Sequence, residues 1–133
     1  MIRITCLFLF IATTPLLAQK TNADLKKSMD SGKALYETQC ISCHMENGEG
    51  LEDVYPPLAK SDYLMADKVR SIRVILEGVS GPMKVNGKTY DSEMQAYPMS
   101  DIEVIDLVNY IRNSFGNKGG FVTAADVAAA RKK

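Results

Sequence analysis

Five residues in the first third of the chain, Cys-Ile-Ser-Cys-His from Cys40 to His44, combine two thiols with an imidazole. The thiols are three positions apart, so each can add to one vinyl group on the same edge of a haem and form a thioether. The histidine that follows would then lie beneath the iron, where its imidazole can serve as an axial ligand. The spacing therefore predicts one covalently attached haem c on Cys40 and Cys43, with His44 bound to the iron.

Other uses of two cysteines and a histidine fit the rest of the chain less well. A structural zinc site needs four ligands, and the sequence has only three cysteines and one histidine, so zinc would have to recruit carboxylates. A thioredoxin-like redox pair expects a β-α-β context, and the neighbouring residues show little strand pattern. A disulfide across two intervening residues would be strained. Haem attachment is therefore preferred to all three alternatives.

The second axial ligand is restricted by the presence of a single histidine, which rules out ligation by two imidazoles. Methionine, lysine, water or an open position remain, and methionine sulfur is a common haem ligand. Met45 adjoins the first ligand and cannot reach the opposite face of a haem, and Met65 is expected to pack inside a helix. The irregular segment before the last long helix carries Met83, Met94 and Met99. Met94 is preferred, because it has enough chain on either side to cross the haem and return.

The elements that must position these groups follow from apolar spacing and capping residues. Helices are predicted over residues 31–39, 61–65, 67–77, 100–115 and from 123 into the C-terminal tail. Asp30 or Ser31 would cap the first of them, and Ser100 with Glu103 forms a capping box for the fourth. Prolines exclude a helix around residue 56. The Asn86–Gly87 pair predicts a small hairpin.

The first eighteen residues have the pattern of a secretory signal peptide. Arg3 supplies positive charge, an apolar run follows, and Ala18 offers a small residue at a cleavage point before Gln19. An uncleaved membrane anchor is the alternative. The predicted organisation is a signal peptide at 1–18, a polar lead-in at 19–30 that is flexible or partly helical, a domain at 31–116, and a linker with a short helix at 117–133.

The charge balance and the hydropathy argue against nucleic acid as a partner and against a membrane-spanning segment. Sixteen basic and sixteen acidic residues cancel, so the chain lacks the basic field of a nucleic-acid-binding protein. No stretch reaches the roughly 18 apolar residues that a membrane span requires. Export through a signal peptide also suits haem attachment, which takes place on the outer side of the cytoplasmic membrane, and it predicts a periplasmic location.

Taken in order, these features resemble the single-haem class I c-type cytochromes, especially short bacterial periplasmic ones, over residues 31–116. Gly32 and Tyr36 in the first helix, with Leu107 and Tyr110 in the last, match the positions where the terminal helices of that family cross. The resemblance implies an all-α cytochrome c fold of about four to five helices wrapped around one covalently attached haem.

The resemblance also implies roles for two further segments. Pro56, Pro57 and Leu58 would contact the haem, with a proline carbonyl accepting the imidazole N–H of the axial histidine. The run from Met94 to Tyr97 is similar to the family's methionine loop, although Gln95 stands where proline is usual.

The function implied is that of a monomeric, periplasmic one-electron carrier with His/Met ligation and a positive reduction potential, not an enzyme in its own right. Its redox partner proteins would be a dehydrogenase, a reductase or a terminal oxidase. A haem c subunit of a periplasmic dehydrogenase or of a reductase or oxidase complex is the alternative. Arg70 or Arg73 could neutralise a haem propionate, and Lys84 and Lys88 could border a docking surface. Solvent exposure is the more common fate of all four side chains.

Overall fold

The computed structural model describes residues 16 to 132, so most of the predicted signal peptide lies outside the described residues. The described chain forms helices α1 Leu16–Gln39, α2 Ile41–His44, α3 Asp62–Ala66, α4 Lys68–Glu77, α5 Asp101–Asn113 and α6 Ala124–Arg131, with strands β1 Met83–Val85 and β2 Lys88–Tyr90. The all-α class is confirmed. Six helices appear within this range, one more than the five predicted segments, because the single turn α2 within the Cys40–His44 motif was not predicted. Among them, no helix is both long enough and apolar enough to cross a membrane.

Helices α1 and α5 cross at Gly32. The glycine is buried, and a Cβ atom built on it would lie 2.8 Å from the Cβ of Tyr110. Next to the crossing, the rings of Tyr36 and Tyr110 lie 5.5 Å apart, and Phe115 completes an aromatic cluster with both. The backbones can approach this closely only because residue 32 lacks a side chain. The predicted contact between the first and last long helices is therefore confirmed.

Helix α1 begins well before the predicted start at Asp30 or Ser31, and residues 19–30 belong to it. The lead-in is thus helical rather than flexible, and both proposed caps lie inside the helix. Polar packing explains the difference. Ser28 is buried, donates to the Asp106 carboxylate and accepts from the Asn109 amide. Apolar periodicity cannot reveal a helix face that is held by hydrogen bonds to a distant helix.

The other helix boundaries follow the sequence closely. Ser61 and Asp67 cap α3 and α4 through their side chains, and Ser100 with Glu103 forms the predicted capping box at α5. The core consists of apolar side chains from α1, α3, α4, α5 and the C-terminal segment, with Ile72, Val104 and Val108 fully buried. Local capping chemistry therefore defines these boundaries.

The hairpin β1–β2 turns at Asn86–Gly87 as predicted, with Met83 opposite Tyr90 and Val85 opposite Lys88. A two-stranded hairpin is only marginally stable alone. Here its turn is joined to the start of α3 by two hydrogen bonds between Asp62 and Asn86, in which each backbone N–H donates to the other's side-chain oxygen, at 3.0 and 2.7 Å.

Candidate functional site

A cavity of about 290 Å³ is lined by residues from helices α1 to α5 and from both strands. Its walls are mostly apolar, with Leu64, Ile75, Leu107 and Ile111 among the lining side chains. Ile72 and Leu76 do not line the cavity: Ile72 lies in the core and Leu76 packs against it. The cavity can therefore hold a largely apolar group.

Both cysteines of the motif line this cavity. Cys40 and Cys43 are half-buried and are not joined by a disulfide. The backbone N–H groups of Cys43 and His44 both donate to the Cys40 carbonyl oxygen, so one tight turn holds the motif together. Burial raises the pKa of the Cys40 thiol to about 11, and neighbouring Cys43 adds to that shift. The two thiols are thus presented together, as addition to a single cofactor requires.

The imidazole of His44 lines the same cavity, and its Nδ1 atom lies 3.1 Å from the Pro56 carbonyl oxygen. A carbonyl oxygen can only accept, so Nδ1 carries the proton and Nε2 keeps its lone pair. Burial lowers the pKa of His44, an effect that the hydrogen bond to Pro56 opposes. The histidine is therefore held neutral, with one nitrogen able to bind a metal.

The proline segment, residues 55–58, lies along the cavity beside His44. Pro56, Pro57 and Leu58 all line it, and their contact with a haem stays a prediction. The Leu58 N–H donates to the Gly48 carbonyl oxygen at 2.7 Å, and the Gly50 N–H donates to the His44 carbonyl oxygen at 3.0 Å. These bonds tie the turn that follows the motif to the proline segment, which fixes the acceptor for the imidazole.

The methionine segment, which we define as residues 91–99, forms another wall. Met94 lines the cavity, and its backbone exchanges two hydrogen bonds with Val79, at 2.9 and 2.8 Å. The Tyr97 N–H donates to the Ile75 carbonyl oxygen at the end of α4. A Cβ atom on Gly78 would stand 2.6 Å from the Met94 carbonyl oxygen. The segment can approach α4 this closely only because residue 78 is a glycine.

Three methionines line the cavity: Met83 on β1, and Met94 and Met99 in the methionine segment. Met45 and Met65 do not, in agreement with the sequence argument against them. The choice of Met94 among the three remains a prediction, because each offers a thioether to the same space.

The aromatic lining residues Tyr63 and Tyr90 were missed by the sequence analysis. The strand register could have indicated Tyr90, because it lies directly opposite Met83 and so faces the same side of the hairpin. Tyr63 is stacked under Arg70, whose Cζ lies 3.8 Å from the ring centroid.

Arg70 and Arg73, the candidates for a haem propionate, and Lys88, a candidate for the border of a docking surface, all contact other protein groups. Arg70 donates to the Tyr63 carbonyl oxygen, and Arg73 donates to the Ala130 carbonyl oxygen. Lys88 pairs with Glu52 and Asp53, at 3.1 and 2.8 Å. None of these three cations lines the cavity. Lys88 therefore joins the hairpin to the turn before the proline segment through an exposed ion pair.

The donor set fits a haem better than a bare metal ion. In the part of the chain that the structure describes, no three side chains of His, Cys, Asp or Glu are arranged to hold a metal directly. The cavity instead combines a neutral imidazole, two thiols and thioether sulfurs within apolar walls. That combination can hold a macrocycle covalently and supply axial ligands to its iron.

Comparison with known proteins agrees with this chemistry. Residues 29–115 match the family described as cytochrome c. The chain is 32% identical to cytochrome c-552 of Thermus thermophilus over 77% of its own length and 85% of that protein.

Larger proteins also match. The chain is 32% identical to the cytochrome c subunit of the quinone alcohol dehydrogenase of Gluconacetobacter polyoxogenes, over 75% of its length. It is 34% identical to the cytochrome c subunit of the gluconate 2-dehydrogenase of Pantoea cypripedii, over 77% of its length. It spans only 22% and 24% of those two subunits. Taken together, the matches show that this chain belongs to the cytochrome c family, whose members carry electrons on covalently bound haem c.

Proposed function

We propose that this protein is a periplasmic one-electron carrier whose haem is bound through Cys40 and Cys43, with His44 and Met94 as the axial ligands of the iron. The observation that supports the proposal most directly is that Met94, fifty residues after His44 in the sequence, lines the same apolar cavity as the three side chains of the motif. The carrier is a monomer that meets its redox partners transiently.

The residues around the cavity have distinct roles in this proposal. The haem iron supplies the reversible one-electron couple. Pro56 holds the His44 tautomer and makes the imidazole a stronger donor. With thioether and imidazole both bound, no position remains for a substrate. The thioether and the apolar walls disfavour the extra positive charge of the oxidised state, so the reduction potential should be positive.

The experiment is a visible spectrum of the oxidised and reduced protein, with Met94→Ala beside Met83→Ala and Met99→Ala. A methionine ligand gives the oxidised protein a weak charge-transfer band at the red end of the spectrum. We expect Met94→Ala alone to lose that band. If Met83→Ala or Met99→Ala loses it instead, the ligand assignment is wrong. Haem staining after denaturing electrophoresis tests the thioethers separately, because only a covalent cofactor survives.

The periplasmic location rests on the predicted signal peptide at residues 1–18. Expression with haem-attachment machinery should give a mature protein that begins at Gln19 and appears in the periplasmic fraction. A mass that includes the first eighteen residues, in a membrane fraction, would indicate an uncleaved anchor.

The second candidate function is that of a haem c subunit in a dehydrogenase or oxidase complex. The similarity to the cytochrome c subunits of two dehydrogenases favours it. Size-exclusion chromatography of the native extract, followed by haem absorbance, separates the two functions. Elution as a small monomer supports the carrier, whereas co-elution with a larger oxidoreductase supports the subunit.

A further inference from the structure

The C-terminal segment 117–131 lies beyond the residues that match the family, which end at residue 115. Even so, it is well packed: Val122 and Val127 are fully buried, and Ala130 nearly so. Its helix α6 contacts both α4 and α5. A segment whose apolar residues are buried against the core forms part of the folded domain rather than a loose tail.

Two polar side-chain contacts attach α6 to α4. Lys68 pairs with Asp126 at 2.9 Å near the start of both helices, and Arg73 donates to the Ala130 carbonyl oxygen near the end of α6. The methionine segment is hydrogen-bonded to Ile75 of α4 and to Val79, two residues after α4 ends. Helix α6 and the methionine segment therefore both contact α4.

Arg131, the last residue of α6, contacts the methionine segment directly. Its Nη2 atom donates to the Met99 carbonyl oxygen at 3.1 Å, and its guanidinium pairs with the Asp101 carboxylate at 2.8 Å. Met99 lines the cavity and ends the segment, and Asp101 begins α5. The Arg131 side chain thus attaches the end of α6 to the junction between the methionine segment and α5.

The geometry points to Arg131 as a positioning residue: we propose that α6 braces the exit of the methionine segment through Arg131 and thereby keeps the Met94 sulfur on the iron. The inference rests on the proposed His44–Met94 ligation. The bonds to Ile75 and Val79 hold the middle of the segment, and Arg131 contacts its end at Met99. Without the brace, the segment should move away from the cavity more often, with the rest of the fold unchanged.

The test measures how often the sulfur leaves, using carbon monoxide as a probe of the reduced holoprotein. Carbon monoxide can bind only when the sixth position opens. We expect Arg131→Ala to bind it roughly two- to fivefold faster than the parent, the factor that corresponds to losing a partly exposed ionic contact. Arg131→Lys, which keeps the charge but not the paired geometry, should be intermediate.

Lys132→Ala is the matched control. It removes the same charge one residue along, and Lys132 is exposed with no ion pair or side-chain hydrogen bond among residues 16 to 132. Equal binding rates for Arg131→Ala and the parent would overturn the brace while leaving the ligand assignment intact. The brace would also be overturned if Lys132→Ala bound carbon monoxide as fast as Arg131→Ala. A parent without the methionine charge-transfer band would overturn the ligand assignment and the brace together.

Unfolding temperature, followed by far-ultraviolet circular dichroism, distinguishes positioning from general stability. The brace predicts that Arg131→Ala loses the methionine band at a lower temperature than the parent while its helices unfold at nearly the same temperature. If the temperatures at which the band and the helical signal are lost both fell by the same amount, Arg131 would contribute only to general stability.

Discussion

Gly32 of α1 lies so close to Asp106 of α5 that a Cβ atom added to the glycine would stand 2.0 Å from the Asp106 carbonyl oxygen. The two helices therefore meet backbone to backbone. Because α1 leads directly into Cys40 and α5 contributes Leu107 to the cavity lining, this contact fixes the spacing of two elements that line the cavity.

Replacing Gly32 with alanine should lower the free energy of unfolding by about 3 kcal/mol, because the helices must separate to admit a methyl group. Chemical denaturation of the holoprotein measures the change. Gly120→Ala is the control, since no atom lies within 4 Å of the Cβ that it would add. Gly120→Ala should leave the free energy of unfolding unchanged or raise it slightly. An equal loss of unfolding free energy in both variants would contradict the helix-crossing argument.

Gly78→Ala should displace the methionine segment. The added Cβ would collide with the Met94 carbonyl oxygen and the Ala96 nitrogen, and the backbone there has φ +77°, which alanine rarely adopts. We expect loss of the methionine charge-transfer band from the oxidised protein. Gly81→Ala carries the same kind of backbone strain, at φ +84°, but in open space. If it loses the band to the same extent, strain rather than collision is responsible.

The Asp62–Asn86 pair should hold the hairpin over the cavity. Asn86→Gly tolerates the positive φ of that residue but removes the side-chain oxygen that accepts the Asp62 N–H. Loss of that bond should weaken hairpin closure by about 1 kcal/mol, or roughly fivefold in local opening. Amide hydrogen exchange within β1 and β2 measures it. Thr89→Ala, on the exposed face, should leave exchange unchanged, and fast exchange in both variants would contradict the assignment.

Asp126 should make stability depend on pH under acidic conditions. Burial raises the pKa of its carboxyl, but the bonds from Lys68 and Thr123 outweigh burial and leave the pKa below its ordinary value. A carboxyl with a lower pKa in the folded state stabilises the fold above its unfolded pKa of about 3.9, and this contribution is lost as the pH falls through the folded value.

Asp126→Asn should therefore be less stable than the parent at neutral pH, with a difference that shrinks at strongly acidic pH. Urea unfolding at both pH values measures it, and Asp30→Asn, in an exposed ion pair on α1, serves as the control. A difference between Asp126→Asn and the parent that stays constant with pH would show that the carboxylate charge contributes nothing.

Much of the local structure could be predicted because its causes are local. Ser61, Asp67 and Ser100 cap helices within three residues of themselves, and Asn86–Gly87 determines its own turn. The early start of α1 could not be predicted, because the hydrogen bonds of Ser28 to Asp106 and Asn109 span about eighty residues. The fates of Lys88, Arg70 and Arg73 were also unpredictable, since each depends on a partner from another element.

By itself, the sequence determined the chemistry: thiols three positions apart with an adjacent imidazole can be read from the order of residues alone, because covalent attachment needs only neighbours. The tertiary structure decided the environment in which that chemistry operates. It brought three thioethers to one cavity, oriented His44 through the Pro56 carbonyl, and fastened α6 against the methionine segment. These contacts join residues far apart in the chain, and only the packing of helices brings such residues together.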